Sequence, residues 1–165
     1  MTYREIDVDL TDEQIGLRDT VRKFGAEVMR PAGIELDKLH DPADVIAEDS
    51  VLWEVIKKHR EIGLHKRNIP KAMGGMMEDV DPMSGLLIGE EMGYADAGLA
   101  ISLGASGMPF WLASMFPNPK IQELARAYAE DTKGELIGCW AITGCFFKEL
   151  KCYKDLNCYL STTCT

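Results

Sequence analysis

The sequence predicts a mainly helical domain that ends at the beginning of a β-layer. Five segments repeat apolar residues at every third or fourth position, which is the spacing of one buried helix face. Three of these segments begin at residues that cap helices well, namely Thr11, Asp96 and Asn118. Residues 136–143, with the sequence LIGCWAIT, are the one stretch with the composition of a strand. One strand after five helices indicates a helical domain followed by the start of a second layer.

The first helix is predicted from its amino-terminal cap. Thr11 and Gln14 have the spacing of a capping box, in which each side chain bonds the backbone of the other residue. The apolar residues that follow at helical spacing are Leu17, Val21, Phe24 and Val28. Because proline has no backbone N–H and its ring crowds the preceding turn, Arg30-Pro31 is expected to end this helix.

The second helix is predicted between an acidic connector and a glycine. Residues 35–49 are rich in acidic side chains and are expected to form a loosely structured connector. A helix is expected over residues 50–62, and Gly63 stands where a left-handed carboxyl-terminal cap requires glycine. The next segment, NIPKAMGGM, contains the proline and paired glycines of a turn-rich loop.

The third helix is predicted over residues 82–95. Its expected core residues are Met83, Leu86, Leu87 and Met92. Glu90 and Glu91 are expected to point outward. As a general acid and base they would need to face each other, but adjacent helical residues point about 100° apart. The pair is therefore interpreted as a solvated face.

The last two helices follow in quick succession. Asp96 is expected to cap an apolar fourth helix that reaches about Ala105. Asn118-Pro119 combines a good cap with proline at the first helical position and opens the fifth helix. The expected buried face of that helix consists of Ile121, Leu124, Ala125 and Tyr128.

Composition and charge exclude several classes of function. The chain has 165 residues, of which 46% are hydrophobic and 27% charged, as in an ordinary globular domain. Its formal net charge of −9 gives no electrostatic attraction to nucleic acid or an anionic membrane surface. Residues 97–119 are uncharged, but their glycines and prolines favour a buried helix and turn over a membrane span. The amino terminus resembles no targeting signal, so a cytoplasmic protein with reduced cysteines is expected.

The spacing of histidine and cysteine predicts no metal site. His40, His59 and His65 have no ligand spacing with cysteine or with one another, so they are interpreted as surface or capping residues. Four of the five cysteines fall near the end of the chain, too far apart for a chelating loop. These are Cys145, Cys152, Cys158 and Cys164.

Four stretches resemble the amino-terminal part of a flavin-dependent acyl-CoA dehydrogenase. They are LTDEQIGLRDTVRKFGAEVMRP, EIGLHKRNIPKAMGG, GEEMGYADAGLAISLGASGM and LIGCWAIT. The third is the most diagnostic, and the four stand in the family's order over residues 4–143. The resemblance implies a helical amino-terminal domain over residues 1–135 and the start of the middle β-domain over residues 136–143.

The resemblance stops after Ala141-Ile142-Thr143. In the family this triplet continues with glutamate, proline and a Gly-Ser-Asp turn, whereas here Gly144 begins a cysteine-rich tail. We interpret residues 144–165 as the product of a lost reading frame near codon 144, and a genuine cysteine-rich tail is the alternative. The family's glutamate base is absent from this chain, so no catalytic residue is assigned, and the chain alone is expected to be inactive.

The resemblance also implies an activity and its cofactor. Members oxidise an acyl-CoA thioester to the α,β-enoyl form with FAD and pass electrons to an electron-transfer flavoprotein. The residues at the family's flavin-contacting positions are Trp140, Ile142 and Thr143. An intact version is expected to be a homo-oligomer. The alternative hypothesis is a non-catalytic helical module that binds a small molecule or a partner.

The expected acyl-binding residues lie on the fourth helix and just after it. They are Ala100, Gly104 and Met108, spaced by four, and they match positions that shape the floor of the family's acyl pocket. Small residues at two of these positions imply a wide floor and a bulky, branched or ring-bearing acyl group. Packing of small residues between helices explains the same pattern. Gly107 and Pro109 speak against a helix that continues to Met108.

Overall fold

The computed structural model of the protein describes residues 9–139. Within that range the architecture is helical, without a strand, and the predicted fold class is confirmed. The helices are α1 (Asp12–Phe24), α2 (Arg30–Leu36), α3 (Val51–Glu61), α4 (Pro82–Ala95), α5 (Ala97–Met115) and α6 (Pro119–Glu130). Helix α1 packs on α4, α4 on α5, and α5 on α6.

The capping box of α1 is confirmed, but the predicted end of this helix is wrong. Thr11 Oγ1 accepts from the Gln14 amide at 3.2 Å, and Gln14 Oε1 accepts from the Thr11 amide at 3.0 Å. After α1 the chain forms a π-helical turn, Gly25–Met29, and then continues as α2, which contains Pro31. The wider π turn just before the proline lets the helix continue without the amide that Pro31 lacks.

Helix α3 and its carboxyl-terminal glycine follow the prediction. Ser50 caps the helix, and its side chain accepts from the Leu52 amide at 3.2 Å. Gly63 adopts the left-handed conformation with φ of 78°, which a residue with a side chain rarely adopts. Three short 3-10 turns follow, Leu64–Asn68, Lys71–Met73 and Met77–Asp79.

Helix α5 is longer than the sequence predicts. Asp96 caps it as expected, accepting from the Leu99 amide at 2.8 Å, but the helix runs on to Met115 with Pro109 inside. The missing bond at Pro109 is tolerated because α5 is packed between α4 and α6. The nearby Ser106 carbonyl oxygen also accepts from the Gly138 amide at 3.0 Å. In the described part of the chain, α5 alone has the length and apolar composition of a membrane span, a property shared by core helices of soluble proteins.

Two apolar cores lie between the helices. The main core joins α1 through α5 and contains Val21, Phe24, Met29, Val55, Ile88 and Leu103. The smaller core joins α6 to the turns after α3 and contains Ile69, Met73, Ala125, Tyr128 and Ala129. Burial of Leu87 and Met92 is confirmed, whereas Leu86 is 63% exposed, contrary to prediction. The predicted burial of Met83 is only partly confirmed, because its side chain is half-buried.

The predicted strand is absent from the described part of its range. Residues 136–139 form no strand, and residues 140–143 lie outside the described range, as does the predicted boundary after residue 143. The Gly138 amide bonds α5 instead of a neighbouring strand. Gly138 also packs so closely on Pro109 that a side chain there would collide with the proline ring.

Candidate functional site

A buried polar cluster lies where α3 meets α6. We call it the Arg60 cluster and define it as Arg60 with its neighbours His59, His65, Tyr128 and Asp131. Arg60 belongs to the last turn of α3, His65 to the 3-10 turn after Gly63, and Tyr128 to α6. The left-handed glycine turns the chain back after α3 and so brings His65 beside Arg60.

Arg60 is the centre of the cluster. Its side chain is 2% exposed, and its Nη1 donates to Tyr128 Oη at 2.6 Å. Its Nη2 donates to the Leu136 carbonyl at 3.1 Å. The guanidinium carbon lies 4.2 Å from the centre of the Tyr128 ring, and Phe110 stacks on the same ring with 4.2 Å between the ring centres. Such cation–π contacts are strongest away from water, so the pair fixes α3 against α6.

Asp131 supplies the negative charge of the cluster. Its carboxylate accepts from the backbone amides of the loop after α6, at 2.9 to 3.2 Å. Its Oδ2 lies 3.8 Å from Arg60 Nε, which makes an ion pair without a hydrogen bond. Burial alone would raise the pKa of Asp131, but the four amide donors hold it below its ordinary value. The carboxylate is therefore charged at neutral pH and partly balances Arg60.

The two histidines of the cluster are uncharged at neutral pH. Burial, followed by the positive charge of Arg60, lowers the pKa of His59 to about 3 and that of His65 to about 4. His65 meets the Tyr128 ring edge-on, with 5.5 Å between the ring centres. The prediction that these two are surface or capping residues is wrong, because they are only 4% and 5% exposed. His40 is exposed, as predicted.

A small cavity lies between this cluster and α5. Its volume is about 20 Å³, which is room for about one water molecule. Its polar wall is formed by His59, His65, Arg67, Asn68 and Tyr128, and its other wall includes Gly104 and Gly107 of α5. A Cβ at position 107 would lie 2.6 Å from Tyr128 Oη, whereas one at position 104 meets nothing within 4 Å. The α5 wall thus consists of Leu103 and two residues without side chains, Gly104 and Gly107.

The predicted acyl-binding residues lie along α5 in three different surroundings. Ala100 is partly buried against the main core, Gly104 borders the cavity, and Met108 is 37% exposed on the continuing helix. The expectation that the helix stops before Met108 is therefore wrong. The predicted flavin-contacting residues Trp140, Ile142 and Thr143 lie outside the described residues.

The outward face of α5 is apolar and has no neighbour in the described part of the chain. Ile101 is 72% exposed and Met115 is 64% exposed, and Met108 lies between them on the same face. A flavin ring and an acyl chain are both largely apolar, so this face suits either group chemically. Among the described residues, no group of three or more histidine, cysteine or acidic side chains is placed to hold a metal ion.

The prediction for Glu91 is wrong, while Glu90 is exposed as expected. Glu91 is 5% exposed, and its carboxylate accepts two hydrogen bonds from Arg22 of α1, at 2.7 Å and 3.1 Å. Two parallel bonds from one guanidinium are the strong geometry for a carboxylate. This pair fixes α1 on α4 rather than forming a reactive site.

The sequence contains a signal for the Arg60 cluster that the prediction missed. The buried positions of α3 are Leu52, Val55, Ile56, His59 and Arg60. They follow the regular helical spacing of one buried face, so His59 and Arg60 continue the apolar stripe that begins at Leu52. A polar residue in such a stripe indicates a buried partner, although the sequence cannot say which residue that partner is.

Comparisons with known proteins agree with this helical architecture. The family model for the acyl-CoA dehydrogenase N-terminal domain matches residues 11–124. Among solved structures, nitroalkane oxidase crystallized with 1-nitrooctane has a TM-score of 0.61 and 20% identity over 77% of this chain. A second structure, of the flavoprotein nitroalkane oxidase, has a TM-score of 0.64 and 20% identity over 80% of this chain. This chain spans 29% and 30% of those two proteins. No curated protein matches it.

Proposed function

Because this chain belongs to the acyl-CoA dehydrogenase family, whose members are flavin-dependent oxidoreductases, we propose that it contributes the amino-terminal helical wall of such an enzyme. The proposed substrate is an acyl-CoA thioester, which is oxidised to the α,β-enoyl thioester. The proposed cofactor is FAD. The proposed electron acceptor is an electron-transfer flavoprotein, and the proposed setting is a cytoplasmic homo-oligomer.

The proposed reaction removes two hydrogens from adjacent carbons. A base takes the α-proton, the β-carbon gives up a hydride, and the two electrons left on the α-carbon form the new double bond. A bound flavin would supply the hydride acceptor. The task of a helical wall is to hold the acyl group in line for these two transfers and to keep water away, since small misplacements are costly.

The observation that carries this proposal is the uncharged outward face of α5. Ile101 and Met108 expose apolar side chains on this face, and an acyl chain buried against them would contribute about 0.8 kcal/mol per CH₂ group. Gly104 lies between them and adds no side chain. A glycine here leaves space beside the helix, which supports the expectation of a bulky, branched or ring-bearing acyl group.

Binding of acyl-CoA to the full chain tests the proposal. Calorimetric titration should show binding of branched or cyclic acyl-CoA that is tighter than binding of free CoA, because the acyl group contributes buried apolar area. Because the chain lacks the family's glutamate base, binding is the readout of this test, and bleaching of added flavin is not expected from the chain alone. A chain that is helical by circular dichroism and binds no acyl-CoA would contradict the proposal.

A separate comparison of substrates tests whether the floor of the acyl pocket is wide. The same titration with straight-chain and cyclic acyl-CoA of equal carbon number measures the preference directly. Gly104→Ala should reduce binding of the cyclic compound more than that of the straight one, because its methyl group narrows the floor. A marked preference of the unchanged chain for straight acyl groups would contradict the wide floor while leaving the proposed reaction intact.

A further inference from the structure

The cavity behind α5 presents buried polar atoms without a protein partner. In the described part of the chain, His59 Nδ1, His65 Nδ1 and Arg67 Nη1 are buried and accept or donate no hydrogen bond. All three residues border the same cavity of about 20 Å³. Both histidine side chains are more than nine-tenths buried. Buried polar atoms left without a partner destabilise a fold, so their shared location indicates a bound molecule.

The contact of His65 with α6 decides which of its nitrogens is an acceptor. His65 Nε2 lies 3.3 Å from the Ala129 carbonyl oxygen. A carbonyl only accepts, so Nε2 carries the hydrogen and donates, and in an uncharged ring Nδ1 then has a free lone pair. The lowered pKa of His65, caused mainly by burial, keeps the ring in this uncharged form at neutral pH. The histidine therefore needs a donor from the cavity.

Arg67 needs the opposite partner. A guanidinium has donors and no acceptor, so Arg67 Nη1 requires an acceptor in the cavity. A cation is disfavoured because Arg67 lines this space and the positive charge of Arg60 acts on the two histidines that border it. An anion would satisfy Arg67 but would face the lone pair of His65 Nδ1. A neutral group that both donates and accepts satisfies both residues.

We propose that this cavity is a binding site for one neutral hydroxyl group, which accepts from Arg67 Nη1 and donates to His65 Nδ1. The volume admits about one non-hydrogen atom, so the hydroxyl belongs either to an ordered water molecule or to the end of a small alcohol. Gly104 and Gly107 make room for it on the α5 side.

NMR on the ¹⁵N-labelled full chain tests the proposal without any substitution. We expect long-lived magnetisation transfer from water to the His65 ring. We also expect a ¹⁵N chemical shift of His65 Nδ1 that is typical of a hydrogen-bonded acceptor. Titration with methanol separates the two sources of the hydroxyl. A saturable change at His65 identifies an alcohol site, and unchanged spectra with persistent water transfer identify a water site. Absence of both signals would overturn the proposal.

Ion titrations and two substitutions provide further tests of this site. Bromide or zinc that saturates a change at His65 would reveal an ion site and would also overturn the proposal. Arg67→Met removes the donor and should abolish the transfer from water, whereas Lys66→Met, on the same turn and outside the cavity, should leave it unchanged. If Arg67→Met does not fold, the measurements on the unchanged chain still decide.

Discussion

Arg60 and Tyr128 lie 68 positions apart in the sequence, yet their side chains make one of the closest buried contacts of the fold. The Arg60 guanidinium stacks on the Tyr128 ring at 4.2 Å and donates to its hydroxyl at 2.6 Å. Because both residues are at most 2% exposed, neither group is open to bulk solvent. The contact therefore couples the position of α3 to that of α6.

Arg60→Met should lower the free energy of unfolding by about 2 to 4 kcal/mol, because the Tyr128 hydroxyl and the Leu136 carbonyl lose their buried donor. Urea unfolding followed by circular dichroism measures the change. Lys58→Met is the matched control on the same helix, since Lys58 is half exposed and pairs with Glu61 at the surface. Its effect should stay within about 0.5 kcal/mol. Equal effects of the two substitutions would contradict the assigned role of Arg60.

Glu91→Gln should destabilise the chain by about 1 to 3 kcal/mol, because Arg22 then loses the carboxylate that accepts two of its hydrogen bonds. The thermal unfolding midpoint is the convenient readout. Glu54→Gln changes a carboxylate that is 63% exposed and 4.0 Å from its lysine partner, so it should have almost no effect. A midpoint that does not move for Glu91→Gln would mean that the ion pair between α1 and α4 contributes no net stability.

Two glycines of α5 should respond oppositely to the same substitution. Gly104→Ala should stabilise the chain by up to about 1 kcal/mol, because its Cβ enters open space and alanine favours a helix. Gly107→Ala should destabilise it by about 1 to 3 kcal/mol, because its Cβ would lie 2.6 Å from Tyr128 Oη. The denaturant midpoints of the two variants measure these changes in stability. A lower midpoint for both variants would contradict the open space beside Gly104.

Stability should fall when the solution becomes acidic. His59 and His65 have pKa values of about 3 and about 4 in the folded chain, against 6.5 for an ordinary histidine. Between these values the unfolded chain binds more protons, so the stability present above pH 6.5 is lost as the pH falls toward 4. The slope is about 1.4 kcal/mol per pH unit for each histidine. Urea midpoints between about pH 7 and pH 4.5 measure it.

Substitutions distinguish the contribution of these two histidines to the pH dependence of stability from that of the carboxylates. His59→Gln should flatten the pH dependence, and the exposed His40→Gln should leave it unchanged. Asp131 acts in the same direction but at lower pH, because its pKa lies below the ordinary 3.8. An identical slope in His59→Gln and in the unchanged chain would show that His59 takes up its proton without unfolding.

Helix starts were predictable from sequence because a cap depends on a few neighbouring residues. Thr11 bonds the amide of Gln14, and Asn118 bonds the amide of Lys120, so each cap is complete within a stretch of three or four residues. The left-handed glycine after α3 was predictable for the same reason. Helix ends were less predictable from sequence. At Pro31 and Pro109 the local rule predicts a stop, but the π-helical turn before Pro31 and the packing of α5 around Pro109 let the helix continue.

The sequence by itself therefore determined the helical class, the caps and most of the buried apolar faces, since these follow from local bonding and from the period of the helix. Only the tertiary structure decided that Glu91 is buried with Arg22, 69 positions away, and that His65 meets Ala129, 64 positions away. A buried charged or polar group needs a partner, and for Glu91 and His65 that partner is distant in the sequence. That partner is fixed by how the helices pack, which no local pattern in the sequence specifies.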